Sequence, residues 1–560
     1  MLRAWWALLA VDLWQVAVRA PGALTLAGVG WLAGLYLVVV GVGALVVRGL
    51  FRRSCTRPRR PTRRWALAVM AVILAGGIVV ATGGARGRAA GSPPSDAGGR
   101  ATPADRPNLL VVVIDTLRAD HLGCYGYGRP TSPVLDELAS HGVLFDRAFA
   151  QSSWTKPSTA SLFTGRSPTE HQTLSESARL PDAEITIAER LRARGYRTAV
   201  LSANPWVTPA YGFDQGVDDF FSVYDERFAR VTLLMQGLRR VSQLTGGRLR
   251  LYNRVKYLVL GELSTTERDT LLVDEALRWL GRHRDGRFFL YVHMMSPHHP
   301  YDPPPPFDRF VPDRSHAPVR NHPRKSYHFF EQGDPLAPAA LDDMIARYDG
   351  DVLYADTELG RLLGGLDRLG LGASTAVLVT ADHGEEFFEH GNWGHGQSVY
   401  NELVRVPLVL RVPDGAPVGR VTTPVSHADV VPTLLELAGT PADAALAGRS
   451  LLHVRDEPGG GAAPAALSEL LYRYGEARSL VEADRKLIVT REGARQATAF
   501  FDLAADPGEH HPLAPADPAA ASLAAELARR VDAATRTRSA GTEAAVDDET
   551  RGRLRALGYQ

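Results

Sequence analysis

Four short stretches carry side chains able to attack or hold an anionic ester. The run NLLVVVI (108–114) is followed by Asp115, and RFFLYVH (287–293) ends in His293 and leads into SPHHPY, which contains His298. The run TAVLVT (375–380) is followed by Ala381, Asp382 and His383. The fourth stretch, QSSWTKPSTASLFTG (151–165), places Thr155 just ahead of Pro157 and an apolar run with helical spacing. A hydroxyl there has two readings. One is ordinary helix-start chemistry, an N-cap with Pro close behind. The other is a nucleophile, because a helix start favours a tetrahedral anion and a divalent ion held by nearby carboxylates activates an alcohol. With only Cys55 and Cys124 in the chain, there is no disulfide framework and no thiolate metal site.

These residues need a scaffold that brings them to one edge. The apolar, β-branched runs 108–114, 197–202 (RTAVLS), 287–293, 375–380 and 407–412 (PLVLRV) read as fully buried strands. Helical patterns alternate with them, in TSPVLDELASHG, ITIAERLRARG and ADTELGRLLGGLDRLG. The alternation predicts an α/β fold, a large mostly parallel sheet between helices. Ligands bind beyond the carboxyl ends of such strands, which is where Asp115, His293, Asp382 and His383 fall. From about residue 485, KLIVT and ATAFFDL predict a small antiparallel addition followed by a helical tail. Asp349, Asp351 and Asp356 read as a solvated helix face.

The N-terminal part is of another kind. Residues 20–47 and 65–85 carry no charged side chain, and the loop between them holds eight arginines and no acid. About 20 apolar residues cross a bilayer, so both runs read as transmembrane helices with the arginine loop in the cytoplasm. Residues 4–18, interrupted by Asp12, read either as a third span or as an interfacial helix. Residues 86–107, rich in Gly, Ala, Pro and Ser, read as a flexible linker. The expected order is therefore a membrane anchor (1–85), the linker, a catalytic domain (108–480) and a C-terminal subdomain with a helical tail (481–560). The body is expected outside the cytoplasmic membrane, on its periplasmic or extracellular side. A net charge of +1 gives no bias toward nucleic acid.

The stretch PNLLVVVIDTLRADHLGCYGYGRPTSPVLDELASHGVLFDRAFAQSSWTKPSTASLFTG resembles the start of a sulfatase-type domain of the alkaline phosphatase superfamily. ADHGEEFFEHGNWGHG, HMMSPHHPYDPP, FDQGVDDF, FDLAADPGE and the terminal LRALGY extend the resemblance over roughly residues 105 to 560. It implies an alkaline-phosphatase-like sheet with a small C-terminal α+β subdomain and a metal-bound nucleophile. Matched residue by residue, it implies Asp115, Thr155, Asp382 and His383 as metal ligands and Thr155 as nucleophile. It places His298 and His395 as catalytic groups facing the leaving group, and Lys156, His293 and His298 against the substrate. Each of the three histidines has a second reading as a metal ligand or a packed core residue.

Three departures bear on chemistry. Sulfatases of the main type carry Cys or Ser, converted to formylglycine, in a C/S-x-P-S-R run. Thr155-Lys156-Pro157-Ser158-Thr159 stands there instead, so no formylglycine is expected, and Thr159 replaces the supporting arginine. The paired aspartates after the first strand are reduced to Asp115-Thr116. Threonine nucleophiles resemble the superfamily's phosphodiesterases and phosphotransferases. The sequence therefore predicts a hydrolase or transferase of phosphate esters, lipid-linked or of envelope glycans, with sulfate ester hydrolysis or a silent binding protein as the alternatives. One divalent ion, Mn²⁺, Mg²⁺, Ca²⁺ or Zn²⁺, suits the oxygen-rich ligand set; a second has no assigned ligands.

Overall fold

The computed structural model describes residues 106–223, 265–312, 338–413, 418–440, 443, 445–454, 465–471, 475–514 and 516–544. The expected spans at 4–18, 20–47 and 65–85, most of the linker and Cys55 lie outside the described residues. Among the described residues, no helix is long and apolar enough to cross a membrane.

Eight strands make the main sheet: β1 (Asn108–Ile114), β2 (Val143–Phe145), β3 (Arg197–Ser202), β4 (Asp219–Ser222), β5 (Phe288–Met294), β6 (Thr375–Thr380), β7 (Leu408–Arg411) and β8 (Gly419–Val421). Their order across the sheet is β8-β2-β7-β6-β1-β5-β3-β4. β1, β5 and β6 are buried at every position, as continuous apolar runs in a covered parallel sheet must be. All neighbours are parallel except where β7 meets β6 and β2. β7 runs against the rest and lies directly beside β6, although residues 381–407 separate the two strands in the chain.

Register then decides which residues meet. Val113 of β1 lies opposite His293 of β5 on one side and Thr380 of β6 on the other. Ser202 of β3 lies opposite His293 as well. The carboxyl ends of four strands are thus level, and Asp115, Asp382, His383 and the loop after Ser202 emerge together.

Helices α1 (Pro133–Ser140), α2 (Thr155–Thr164), α3 (Ile187–Arg192), α4 (Thr265–Arg282), α5 (Pro338–Arg368) and α6 (Val430–Leu437) accompany the sheet. The predicted solvated face of α5 is a correction: Asp349, Asp351 and Asp356 are all buried. Asp349 holds His121 Nδ1, the Tyr127 hydroxyl and Arg129 Nη1, each at 2.7 Å. Asp351 accepts the Asp302 amide at 3.0 Å. Asp356 accepts the Val134 and Leu135 amides at 2.9 and 2.8 Å, satisfying donors in the first turn of α1. Charge spacing along one helix did not reveal that amides from other elements would arrive there.

A second, four-stranded antiparallel sheet consists of β9 (Ala465–Leu471), β10 (Glu476–Glu482), β11 (Arg485–Glu492) and β12 (Arg495–Asp502). Helix α7 (Pro518–Thr537) packs on it around Leu467, Leu480, Leu487, Phe500, Leu523 and Leu527. The sheet begins at Ala465, ahead of the expected boundary at 481, because β10 pairs with the strand legible in KLIVT and β9 pairs in turn with β10.

Candidate active site

Thr155 is the first helical residue of α2, and the extended Trp154 before it is the N-cap, with no side-chain cap bond. The capping reading is therefore set aside. The Thr155 hydroxyl is buried and lies 3.3 Å from His383 Nε2 and 3.4 Å from Asn204 Nδ2.

Around it gather the strand-end residues. His293 Nε2 is 3.5 Å from Asp115 Oδ2 and 3.8 Å from Asp382 Oδ2. His383 Nε2 is 3.5 Å from Asp382 Oδ2 and 3.9 Å from Asp115 Oδ1. All four side chains are fully buried. Asn204 Nδ2 donates to Asp115 Oδ2, the oxygen that His293 also approaches. The Thr116 and His383 amides donate to Asp382 Oδ1 at 3.3 and 3.0 Å. Thr116 has φ 56°, left-handed backbone that a β-branched residue adopts only under constraint. The Tyr348 hydroxyl, bonded to the Thr116 carbonyl at 2.7 Å, supplies part of that constraint.

Whether a cation fits is answered by what is left unpaired. Asp115 Oδ1, Asp382 Oδ2 and His293 Nε2 are buried without a hydrogen-bond partner. Donor atoms of these same three residues lie within 4.8 Å of one another. An orphaned buried polar atom costs about 1–3 kcal/mol, more when charged. Burial and the Asp382 charge push the Asp115 carboxyl well above its ordinary range. Asp382 resists the upward push of burial because His383 and His293 hold it below the ordinary value. Two carboxylates so close need a shared positive charge, and the donor set of oxygens with imidazole fits a divalent ion. The Tyr291 hydroxyl at 3.0 Å from His293 Nδ1, and the Gly384 carbonyl at 2.8 Å from His383 Nδ1, aim both Nε2 atoms at the cluster.

A second group of side chains borders the first. His395 lies between Gly394 and Gly396, both at positive φ, so the loop takes a path that side chains there would oppose. Its ring centroid is 4.4 Å from that of His383 and 5.1 Å from that of His298. His395 Nδ1 meets Glu385 Oε1 at 2.8 Å, and the Tyr301 hydroxyl donates to Glu385 Oε2 at 2.8 Å. Burial, and the neighbouring His395, push His298 down to about 3; burial pushes His395 down to about 4. Burial raises the carboxyl of Glu385.

The fold thus brings together Asp115, Thr155, His293, His298, Asp382, His383 and His395. His293, expected against the substrate, sits instead within the donor group. Lys156 is placed elsewhere: its ammonium donates to the Glu176 and Ala178 carbonyls at 2.7 and 2.9 Å. It also lies over the Tyr211 and Trp206 rings, 3.9 and 4.6 Å from their centroids. That charge, expected against the substrate, is thus enclosed by carbonyls and rings of the protein itself. Sequence reasoning missed Asn204, Glu385 and Tyr301. Asn204 had a signal, since it lies just past the carboxyl end of β3.

A family model described as sulfatase matches residues 107–440, and one described as N-sulphoglucosamine sulphohydrolase, C-terminal, matches residues 388–537. Human iduronate 2-sulfatase is 30% identical over 343 residues, covering 55% of this chain and 60% of its own. The chain thus spans about 60% of the length of that relative. A multifunctional alkaline phosphatase superfamily protein, PehA of Trinickia caryophylli, is 28% identical over 502 residues, covering 76% of this chain and 94% of its own. The phosphonate monoester hydrolase of Agrobacterium radiobacter superposes with a TM-score of 0.57 at 22% identity, over 77% of this chain and 95% of that one.

Proposed function

Because the chain belongs to the sulfatase family of the alkaline phosphatase superfamily, we propose that it is a metal-dependent hydrolase or transferase of phosphodiester-type esters, with Thr155 as nucleophile. The observation that carries this reading is the buried Thr155 hydroxyl beside His383 and three orphaned donor atoms on Asp115, Asp382 and His293. A threonine cannot become formylglycine, so the side chain must act as an alcohol.

Asp115, Asp382, His293, His383 and the Thr155 oxygen would hold the ion, which supplies positive charge for ionising an alcohol and for an ester's nonbridging oxygens. Asn204 bridges Asp115 and Thr155 and fixes the hydroxyl against them. As the Thr155 Oγ–P bond forms, the hydroxyl proton passes to solvent and the ester P–O bond breaks. The electron pair stays on the leaving oxygen, which takes up a proton from solvent, relayed through His395 or His298 once that otherwise neutral ring has accepted it. Water, or an acceptor alcohol, then displaces Thr155 from phosphorus by the same steps reversed. The anchor at 1–85 and the linker put this chemistry outside the cytoplasmic membrane, where lipid-linked or envelope-glycan esters are the substrates within reach.

Sulfate ester hydrolysis by unmodified Thr155 is the second reading, favoured by the likeness to iduronate 2-sulfatase. The test compares the full chain, loaded with Mn²⁺, Mg²⁺, Ca²⁺ or Zn²⁺, on aryl phosphodiester, phosphomonoester and sulfate esters, beside Thr155→Ala. Diester turnover lost at least about 10³-fold in Thr155→Ala is the expected result. Preference for the sulfate would install the second reading. Metal binding with no turnover of any ester would point to a silent binding protein.

A further inference from the structure

The FDLAADPGE motif lies in the C-terminal subdomain, away from the strand ends, and the chemistry above makes no use of it. Its local structure is specific. The Asp502 carboxylate accepts the Ala504 amide at 3.0 Å, and the Asp506 carboxylate accepts the His510 and His511 amides at 3.1 and 2.7 Å. These bonds fold a turn that presents Glu509, which is held at φ 57°, left-handed backbone that is unfavourable for a non-glycine residue. Glu509 is buried and paired at 2.8 Å with Lys486 of β11, a second fully buried charge.

What this pair holds is Asn401. The Asn401 amide donates to Glu509 Oε2 at 2.5 Å, its Nδ2 to the Pro507 carbonyl at 3.1 Å, and its Oδ1 accepts Lys486 Nζ at 2.9 Å. Beside it, His390 meets Glu402 Oε1 at 2.7 Å and the Glu509 carbonyl at 3.2 Å. The next residues return to the metal-donor loop: the Gly384 amide donates to the Leu403 carbonyl at 2.8 Å and the Glu385 amide to the Glu402 carbonyl at 3.0 Å. A Cβ on Gly384 would lie 2.0 Å from the Glu402 carbonyl oxygen, so the two segments are in the closest contact their backbones allow. The loop from Gly384 to Leu403 is therefore closed at its base, and that base is fastened to the second sheet. His395 and Glu385 ride on this loop.

We infer that Glu509, with Lys486, is a positioning residue that fixes the 384–403 loop, so that the C-terminal subdomain is a working part of the active site. The inference rests on the reading of His395 as a group of that site. A buried ion pair is weak evidence for stability alone, since an apolar pair of similar shape often replaces it without loss. Three buried polar contacts converging on one asparagine are explained by placement.

The experiment uses the full chain in detergent and three forms: wild type, Lys486→Met/Glu509→Met, and Glu509→Gln, which keeps an acceptor for the Asn401 amide. Amide hydrogen exchange in the double variant is expected to accelerate about tenfold or more in peptides covering 384–403, while those covering 108–114 and 288–294 keep their protection. For whichever aryl ester the wild type turns over, kcat is expected to fall about tenfold or more with KM within about twofold, and Glu509→Gln to recover most of it. Unchanged exchange over 384–403, or acceleration spread equally over the core strands, overturns the inference. So does unchanged kcat in a folded double variant. If the wild type turns over no ester, the catalytic reading fails, and the exchange measurement still decides whether Glu509 fixes the loop.

Discussion

Asn204 reaches both Asp115, a proposed metal donor, and Thr155, the proposed nucleophile, with one amide. Substitution by Ala leaves both without that donor, and loss of an outer-shell partner typically costs about 10–100-fold in metal affinity or activity. Calorimetric Mn²⁺ titration of Asn204→Ala should show weakening in that range, and equal affinity would remove Asn204 from the site. Glu385 fixes the ring of His395 through Nδ1. If His395 serves the leaving group, Glu385→Gln should lose most on esters with basic leaving groups and little on 4-nitrophenyl esters. In a His395→Ala background the same change should cost nothing further, because the two would act through one interaction. A uniform loss across leaving groups would return Glu385 to a packing role. At this scale the sequence revealed residues that follow a strand directly, such as Asp115 and Asp382. It missed Glu385 and Tyr301, whose importance depends on the side chain each meets across the loop.

The loop from Gly384 to Leu403 carries predictions that belong to the element. Gly384→Ala forces its Cβ against the Glu402 carbonyl, and overpacking of this kind costs about 1–3 kcal/mol. Urea unfolding should show that loss together with weaker metal binding; a neutral substitution would mean that the loop base yields. His390, stacked on Tyr400 and near His510, has its pKa raised to about 9 as the Glu402 carboxylate outweighs the opposing effect of burial. A histidine raised in this way contributes stability fully present below its ordinary value near 6.5 and lost as the pH passes through 9. The melting temperature should therefore fall between pH 6.5 and 9 in wild type, and less in His390→Phe, which keeps the stacked ring without the charge. Parallel pH profiles for the two proteins would exclude His390 as the cause. Helix α5 shows the limit of reading an element alone: its acids look solvated by periodicity, yet partners from the α1 start and the 121–129 segment bury Asp349 and Asp356.

For the whole molecule, the uncharged runs at 20–47 and 65–85 and the arginine loop between them predict a tethered enzyme. In membranes from expressing cells the full chain should resist carbonate extraction, and protease added to intact spheroplasts should cut the body after residue 86. Release by carbonate, or protection from external protease, would relocate the substrate pool. The second sheet belongs to this scale too, since Lys486 and Glu509 reach the loop that carries His395 only when both sheets are assembled.

By itself the sequence determined the strands, since continuous β-branched apolar runs have few other stable uses, and it placed Asp115, Asp382 and His383 at their carboxyl ends. It also set Thr155 apart, as an alcohol standing where the resemblance to sulfatases implies a cysteine or serine. Tertiary structure alone decided the rest. Strand register brought His293 between two carboxylates. Burial left its Nε2 and one oxygen of each carboxylate without a hydrogen-bond partner. The Trp206 and Tyr211 rings enclosed the Lys156 ammonium. Each outcome depends on distances between residues far apart in the chain, which spacing along it does not encode.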